Sequence, residues 1–230
     1  MHIHDLHPWD VSPAEAIRLQ EQLRGQVVAE NHLGDLRTVA GVDVAVTGDV
    51  ARAAVVVLRY PELDLLEVAC APGPTGMVGA GERPVVFPYI PGLLAFREAP
   101  AILAACADLR VEPDLFLFNG HGLAHPRRMG LACHMGLCLD KPAVGCAKSR
   151  LCGEHGELPP DAGTWVPLHD GPETIGAVLR TRLGAAPVYV SVGHKVDLPS
   201  AVRAVLATVR GHRLPEPCRL AHRAASESGR

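Results

Sequence analysis

Three β-rich runs early in the chain, Val39 to Val46, Ala53 to Tyr60 and Leu63 to Ala71, are joined by connections too short for a crossover. Strands that follow one another so closely run antiparallel, because a parallel pair needs a dozen or more connecting residues. Thr47-Gly48-Asp49 after the first run is a tight hairpin signal. The pattern predicts an antiparallel meander, and whatever else the chain builds has to join that sheet. Upstream, Ser12-Pro13-Ala14-Glu15 reads as a helix start, with a Ser cap, Pro at the first helical position and Glu three residues after the cap. Ala16, Leu19, Leu23 and Val27 then recur at helical spacing up to about Glu30.

After the meander the character changes. Residues 72–92 are rich in Pro and Gly and read as one long functional loop. A helix is predicted from about Phe96 to Leu109. Asp114-Leu115-Phe116-Leu117-Phe118 reads as a strand buried on both faces. A helix near Arg128–Leu139, a strand near Ala143–Ala147, a strand at Pro187–Val190 and a helix near Pro199–Val209 complete the outline. The implied class is α/β: one mixed sheet, an antiparallel meander followed by parallel strands, with helices on both faces. A single domain over residues 12–225 is expected between tails at 1–11 and 226–230, with His2, His4 and His7 in a frayed terminus.

Apolar residues at 48% and charged residues at 20% of 230 exclude a disordered chain or a coiled coil. The net charge of −3 hides an asymmetry. Residues 1–119 carry 8 Lys and Arg against 16 Asp and Glu, whereas residues 120–230 carry 14 against 9. A basic half can steer a polyanion whatever the average. Seven cysteines, at 70, 106, 133, 138, 146, 152 and 218, form no Cys-x-x-Cys pair, and an odd count suits a reducing compartment. The start has neither a basic nor an apolar leader region, and no stretch approaches the roughly 20 apolar residues of a membrane span. The expectation is a cytoplasmic protein with no membrane partner, acting as a monomer.

Several acidic and basic side chains stand where chemistry could sit. Asp43 lies inside a strand among small and apolar neighbours, Glu98 at the start of a helix, and Asn119 at the end of the buried strand. Converging, they would offer oxygen ligands to a hard cation such as Mg²⁺. The plainer readings are an edge-strand charge for Asp43 and helix N-terminal electrostatics for Glu98. His125-Pro126-Arg127-Arg128, Lys148-Ser149-Arg150, His194-Lys195 and Arg219 are candidates for phosphate contacts, or solvated surface charges. Gly120 and Gly122 around His121 would let a backbone approach a flat ligand closely. Phe87-Pro88-Tyr89-Ile90-Pro91 is stiff and apolar, suited either to wedging between stacked bases or to plugging the core. The Cys and His spacings match no standard zinc module.

These blocks resemble the endonuclease V family: GVDVAV (41–46), FPYIPGLLAFREAP (87–100), NGHGLAHPRRMGLACHMG (119–136), VGCAKSRLCG (144–153), PVYVSVGHK (187–195) and RLPEPCRLAHR (213–223). They cover roughly residues 12–225 in the family's order. The resemblance implies a ribonuclease-H-like fold and a DNA repair endonuclease. Its reaction would be Mg²⁺-dependent hydrolysis of the second phosphodiester bond 3′ to a deoxyinosine, with Mn²⁺ a substitute and inosine-containing RNA a further partner. It implies a wedge at Pro88, Tyr89, Ile90 and Pro91 and a base pocket of Gly92, Leu94, Gly120, His125, Leu131 and Leu151. It also implies catalytic roles for Asp43, Glu98, Lys148 and His222, with Asp43, Glu98 and position 119 holding the metal.

Position 119 departs from the family, which carries Asp in this block where the chain has Asn119. An amide keeps one oxygen ligand but brings no charge, and opposite charges 4 Å apart interact by about 4 kcal/mol at an effective dielectric near 20. Asp114 is no replacement, standing roughly 16 Å back along the strand. Three readings follow: a nuclease that ligates through the Asn119 oxygen and prefers Mn²⁺, a binder of inosine-containing nucleic acid that cuts weakly, or deamidation of Asn119-Gly120 to Asp. The basic half predicts that nucleic-acid affinity falls steeply between low and high salt; a titration flat across that range would contradict it.

Overall fold

The computed structural model describes residues 1–48, 50–70, 82–84 and 87–227. Helix α1 (Pro13–Leu23) starts as predicted, with the Ser12 hydroxyl accepting from the Glu15 N–H and the Glu15 carboxylate accepting from the Ser12 N–H, but it ends about two turns early and passes into a 3-10 turn, Arg24–Gln26. Strands β1 (Thr38–Thr47) and β2 (Val50–Arg59) pair antiparallel along their whole length, turning at Gly48, whose φ is +58°. Strand β3 (Leu65–Ala69) completes the meander on β2. The segment read as one loop contains a short strand, β4 (Glu82–Pro84), that pairs with the other end of β2. The rest of that expected loop before Phe87 lies outside the described residues.

Helix α2 (Leu94–Ala107), β5 (Leu115–Phe118), α3 (Leu131–Leu139) and β6 (Ala143–Ala147) follow close to expectation. A hairpin of β7 (Trp165–Asp170) and β8 (Glu173–Leu179) was not anticipated. Next come β9 (Val188–His194), α4 (Leu198–Ala207) and a second unanticipated element, α5 (Glu216–Glu227). Residues 226 and 227, expected in a tail, are therefore helical. Among the described residues the sheet order is β3-β2-β1-β5-β6-β9-β8-β7. Among the described residues only the β1–β5 and β5–β6 pairs are parallel; β9 returns antiparallel to β6.

Alternation along the central strands divides the core into two layers. Ala40, Val42, Phe116 and Phe118 pack against α2 and α3, while Val39, Leu115 and Leu117 pack against α4 and α5. Both faces are covered, which is why β5 reads as unbroken apolar sequence. Asp114, just before β5, accepts from the N–H groups of Arg37 and Thr38 at 2.9 Å and so fixes the start of β1.

The segment 1–11 holds no regular element, yet it is not frayed. The His4 N–H donates to the Cys138 carbonyl at 2.7 Å, and Met1, Ile3 and Trp9 pack on the core. His7 is buried and its Nε2 lies 2.6 Å from Nε2 of buried His134 on α3. The Pro8 carbonyl takes the Nδ1 proton of His7 at 2.8 Å, so His134 is the donor of the pair. Burial, reinforced by the neighbouring His7, holds His134 down at about 3 and therefore neutral.

Gly41 explains how α5 sits. A Cβ there would stand 2.1 Å from the Pro217 carbonyl, so the bare backbone of α5 rests on β1 at that point. Two residues along the same strand face is Asp43, and one helical turn beyond Cys218 is His222. The strand advance of about 6.6 Å and the helix advance of about 6 Å nearly match, so the two side chains meet. Gly41→Ala should therefore lower stability by about 3 kcal/mol or more in urea unfolding; a change below about 1 kcal/mol would show that α5 can lift off freely.

Candidate active site

Asp43 is the hub where three elements meet. Its Oδ1 accepts from its neighbour's Val44 N–H and from Asn119 Nδ2, both at 3.0 Å, and its Oδ2 takes His222 Nδ1–H at 2.6 Å. Asn119 arrives because β5 runs parallel beside β1, its own N–H donating to the Val42 carbonyl at 3.1 Å. An ionised carboxylate can only accept, so the amide turns its NH₂ end to Asp43. With Nδ1 of His222 turned to Asp43, Nε2 is the ring nitrogen left facing away from the carboxylate, and the side chain is half exposed.

Glu98 comes from the other face of the sheet. Helix α2 starts two residues earlier than predicted, so Glu98 is past the first turn, and the alternative of a simple helix-end charge does not fit. Burial, and then the nearby Asp43 charge, push its carboxyl up to about 8, with Arg97 pulling the other way. A buried carboxyl whose ionisation is opposed by a neighbouring carboxylate is chemistry suited to a cation. Among the described residues no three His, Cys, Asp or Glu side chains are grouped to hold a metal ion. A divalent ion here would take Asp43 and Glu98 with the Asn119 oxygen, and the amide would have to give up its bond to Asp43.

The pocket lies beside this centre. A cavity of about 260 Å³ is lined by Gly92, Leu94, Gly120, His125, Leu131 and Leu151, the six positions expected from sequence, and it reaches Asn119 and Lys148 at its rim. Lys148 follows β6 and is exposed, its carbonyl held by Arg213 Nη2, which also reaches the Pro187 carbonyl at 2.7 Å. The wedge segment divides its labour. Phe87 is a core plug packed with Leu93 and Phe96, Ile90 leans on that cluster, and Pro88 and Pro91 are exposed. Tyr89 stands out at 70% exposure.

Some expectations fail. Gly122 does not line the pocket: the place of its missing Cβ is taken by the Val192 carbonyl. The two arginines after Pro126 are not free for phosphate. Arg128 bonds Asp170 and Glu173 at 2.8 Å, and Arg127 bonds Gln20 and the Gly92 carbonyl. Gln20 and His121 also line the pocket; Gln20 was missed because nothing near it in sequence marks a site, and His121 was noted only through the glycines on either side of it. Burial lowers His121 and His125 to about 4, so both are neutral. The Gly120 N–H, which would have to attack Asn119 for deamidation, is engaged by the Phe118 carbonyl at 2.8 Å. The buried thiols of Cys106, Cys133, Cys138 and Cys146, pushed up to about 12, are core residues.

Central parallel strands ending in Asp43 and the half-buried Asn119, with an Asp-bound histidine beside them, form the mixed sheet of a ribonuclease-H-like fold. The profile of the Endonuclease V family matches residues 21–223, and the chain belongs to that family. It is 52% identical over 221 residues to the Endonuclease V of Roseiflexus castenholzii, covering 96% of this chain and 95% of the relative. Against the Endonuclease V structure from Streptomyces avermitilis the TM-score is 0.87 at 37% identity, covering 99% and 97% of the two chains. Ciona intestinalis Endonuclease V, solved with DNA containing an inosine followed by a ribo-adenosine, shares the fold at TM-score 0.76 and 24% identity over 94% and 98% of the chains. A nuclease, rather than a mere binder, is what family membership supports. No helix among the described residues is long and apolar enough to cross a membrane.

Glu98 also links charge to stability. Its folded value near 8 lies above the ordinary 4.5, so its contribution is full below pH 4.5 and is lost as pH rises through about 8. Without divalent ions, the native protein should lose up to about 1.4 kcal/mol per pH unit relative to Glu98→Gln between about pH 6 and 8. Parallel urea-stability profiles for the two proteins would contradict this.

Proposed function

We propose that the protein nicks DNA containing deoxyinosine, hydrolysing the second phosphodiester bond 3′ to the lesion, with Mg²⁺ as cofactor and Mn²⁺ as a substitute. The observation that carries this reading is adjacency: the exposed Tyr89, a base-sized pocket, Lys148 and the Asp43–Asn119–His222 cluster lie side by side. Tyr89 fills the gap left when the damaged nucleotide leaves the stack. Backbone groups around Gly92 and Gly120 read the base edge, which in hypoxanthine presents a carbonyl and a ring N–H where adenine presents an amino group and a lone pair. A protein of the same fold holding inosine-containing DNA accords with this.

Asp43, Glu98 and Asn119 are the residues that would hold the metal. When bound, a divalent ion supplies Lewis acidity at the phosphate and a more acidic water. The chain's own groups do the rest. His222 Nε2 is free to orient the attacking water and take its proton, because Asp43 fixes the ring through Nδ1. Lys148 brings positive charge to the phosphate as negative charge develops. Inosine-containing RNA is a second substrate on this reading, and the catalytic unit is the monomer in the cytoplasm.

Single-turnover cutting of a duplex with one deoxyinosine tests the proposal. The native protein should nick the inosine strand alone. Asn119→Asp should reach its half-maximal rate at about tenfold lower Mg²⁺ or less, since a third anion joins the site. No nicking by the native protein in either metal would overturn the reading.

A further inference from the structure

The pocket has two walls from distant parts of the chain, the wedge segment ending at Gly92 and the loop from Asn119 to Leu131, and a third element sets the gap between them. Gln20, on the inner face of α1 and only 1% exposed, donates from Nε2 to the Gly92 carbonyl at 3.0 Å on one wall and to the Met129 carbonyl at 2.9 Å on the other. Its Oε1 accepts from Arg127 Nε at 2.6 Å, and Arg127 Nη2 returns to the Gly92 carbonyl at 2.8 Å. His125 Nε2–H adds a third donor to that carbonyl at 2.9 Å, its Nδ1 accepting from the Arg127 N–H at 3.1 Å. Gly92 has φ +82°, and a Cβ there would stand 2.9 Å from Arg127 Nη2, so only glycine lets the clamp close.

We infer that the Gln20–Arg127 clamp sets the width of the pocket, and with it the ability of the pocket to tell hypoxanthine from adenine. This rests on the inosine-directed function proposed above. The two bases have nearly the same shape, so volume cannot separate them; polar groups whose partners are reversed can. Such groups reject the wrong base only if they stay unpaired, at the cost of a buried, unsatisfied donor or acceptor. A wall free to move by about 0.5 Å would let them find other partners or a water. Both N–H groups of Gln20 are spent on protein carbonyls. It therefore acts through Gly92 rather than on the base, as a positioning residue.

The test compares affinities of the full-length protein for two oligonucleotides that differ only in carrying inosine or adenosine at one position, read by fluorescence anisotropy. Gln20→Glu keeps the acceptor for Arg127 but removes both donors, and Arg127→Lys removes the fork that spans Gln20 and Gly92. Val205→Ala, which thins the core under α4 away from the clamp, is the control for a general loss of stability. Both clamp variants should lower the inosine preference by about tenfold or more, chiefly through weaker inosine binding, while Val205→Ala keeps it within about twofold. Should Gln20→Glu fail to fold, Arg127→Lys carries the comparison. Retained preference in the clamp variants, or an equal loss in Val205→Ala, overturns the inference and leaves the proposed function standing. Absence of any preference in the native protein overturns the proposed function, and the inference falls with it.

Discussion

Helix α5 lies with bare backbone on strand β1 at Gly41, and the chemistry of the molecule depends on that contact. It brings His222 onto Asp43 from one face of the sheet. The parallel pairing of β5 with β1 brings Asn119 to the same carboxylate along the sheet. Helix α2 brings Glu98 from the opposite face, close enough for the Asp43 charge to act on it. Three directions of packing thus converge on one aspartate. A sheet covered on both faces is the condition for it, because its strand ends are where two helical layers and neighbouring strands all come within reach.

Much of this was legible in sequence, for physical reasons. The meander and β5 are runs whose length and apolar character leave few alternatives, and Ala143–Ala147 matches β6 to the residue. The pocket positions were implied by the resemblance of their blocks to a family, not by any pattern in the residues themselves. The β7–β8 hairpin escaped notice: β7 is mostly exposed and carries Pro167, while the buried run of β8, Ile175 to Leu179, is only five residues long and includes the small Gly176 and Ala177. Helix α5 was overlooked although Cys218, Ala221 and Ala225 recur at helical spacing, since small residues give a faint signal. Gln20 and the structural use of Arg127 could not be read at all, because their meaning comes from partners more than seventy residues away.

The charge asymmetry also changes its meaning in three dimensions. Arg127, Arg128 and Arg213 belong to the basic half, but each spends its guanidinium on backbone carbonyls or acidic side chains of its own fold. Guanidinium forks suit that work, since they join several acceptors at once. What remains turned outward beside the pocket is Lys148 and Arg150. The field felt by a phosphate near the pocket is thus narrower than a count of basic residues implies, and it is aimed by architecture that other basic residues maintain.

The Asp43–His222 pair closes a loop of 179 residues. Between its members lie the α2 helix, the pocket walls, the Lys148 strand and most of the sheet. Contacts between residues so distant form late, after the loop entropy of everything between them has been spent. The hub is accordingly a reporter of completion: a chain in which any central strand is still unplaced has no dyad, and the capacity to cut a phosphodiester appears only with the finished fold.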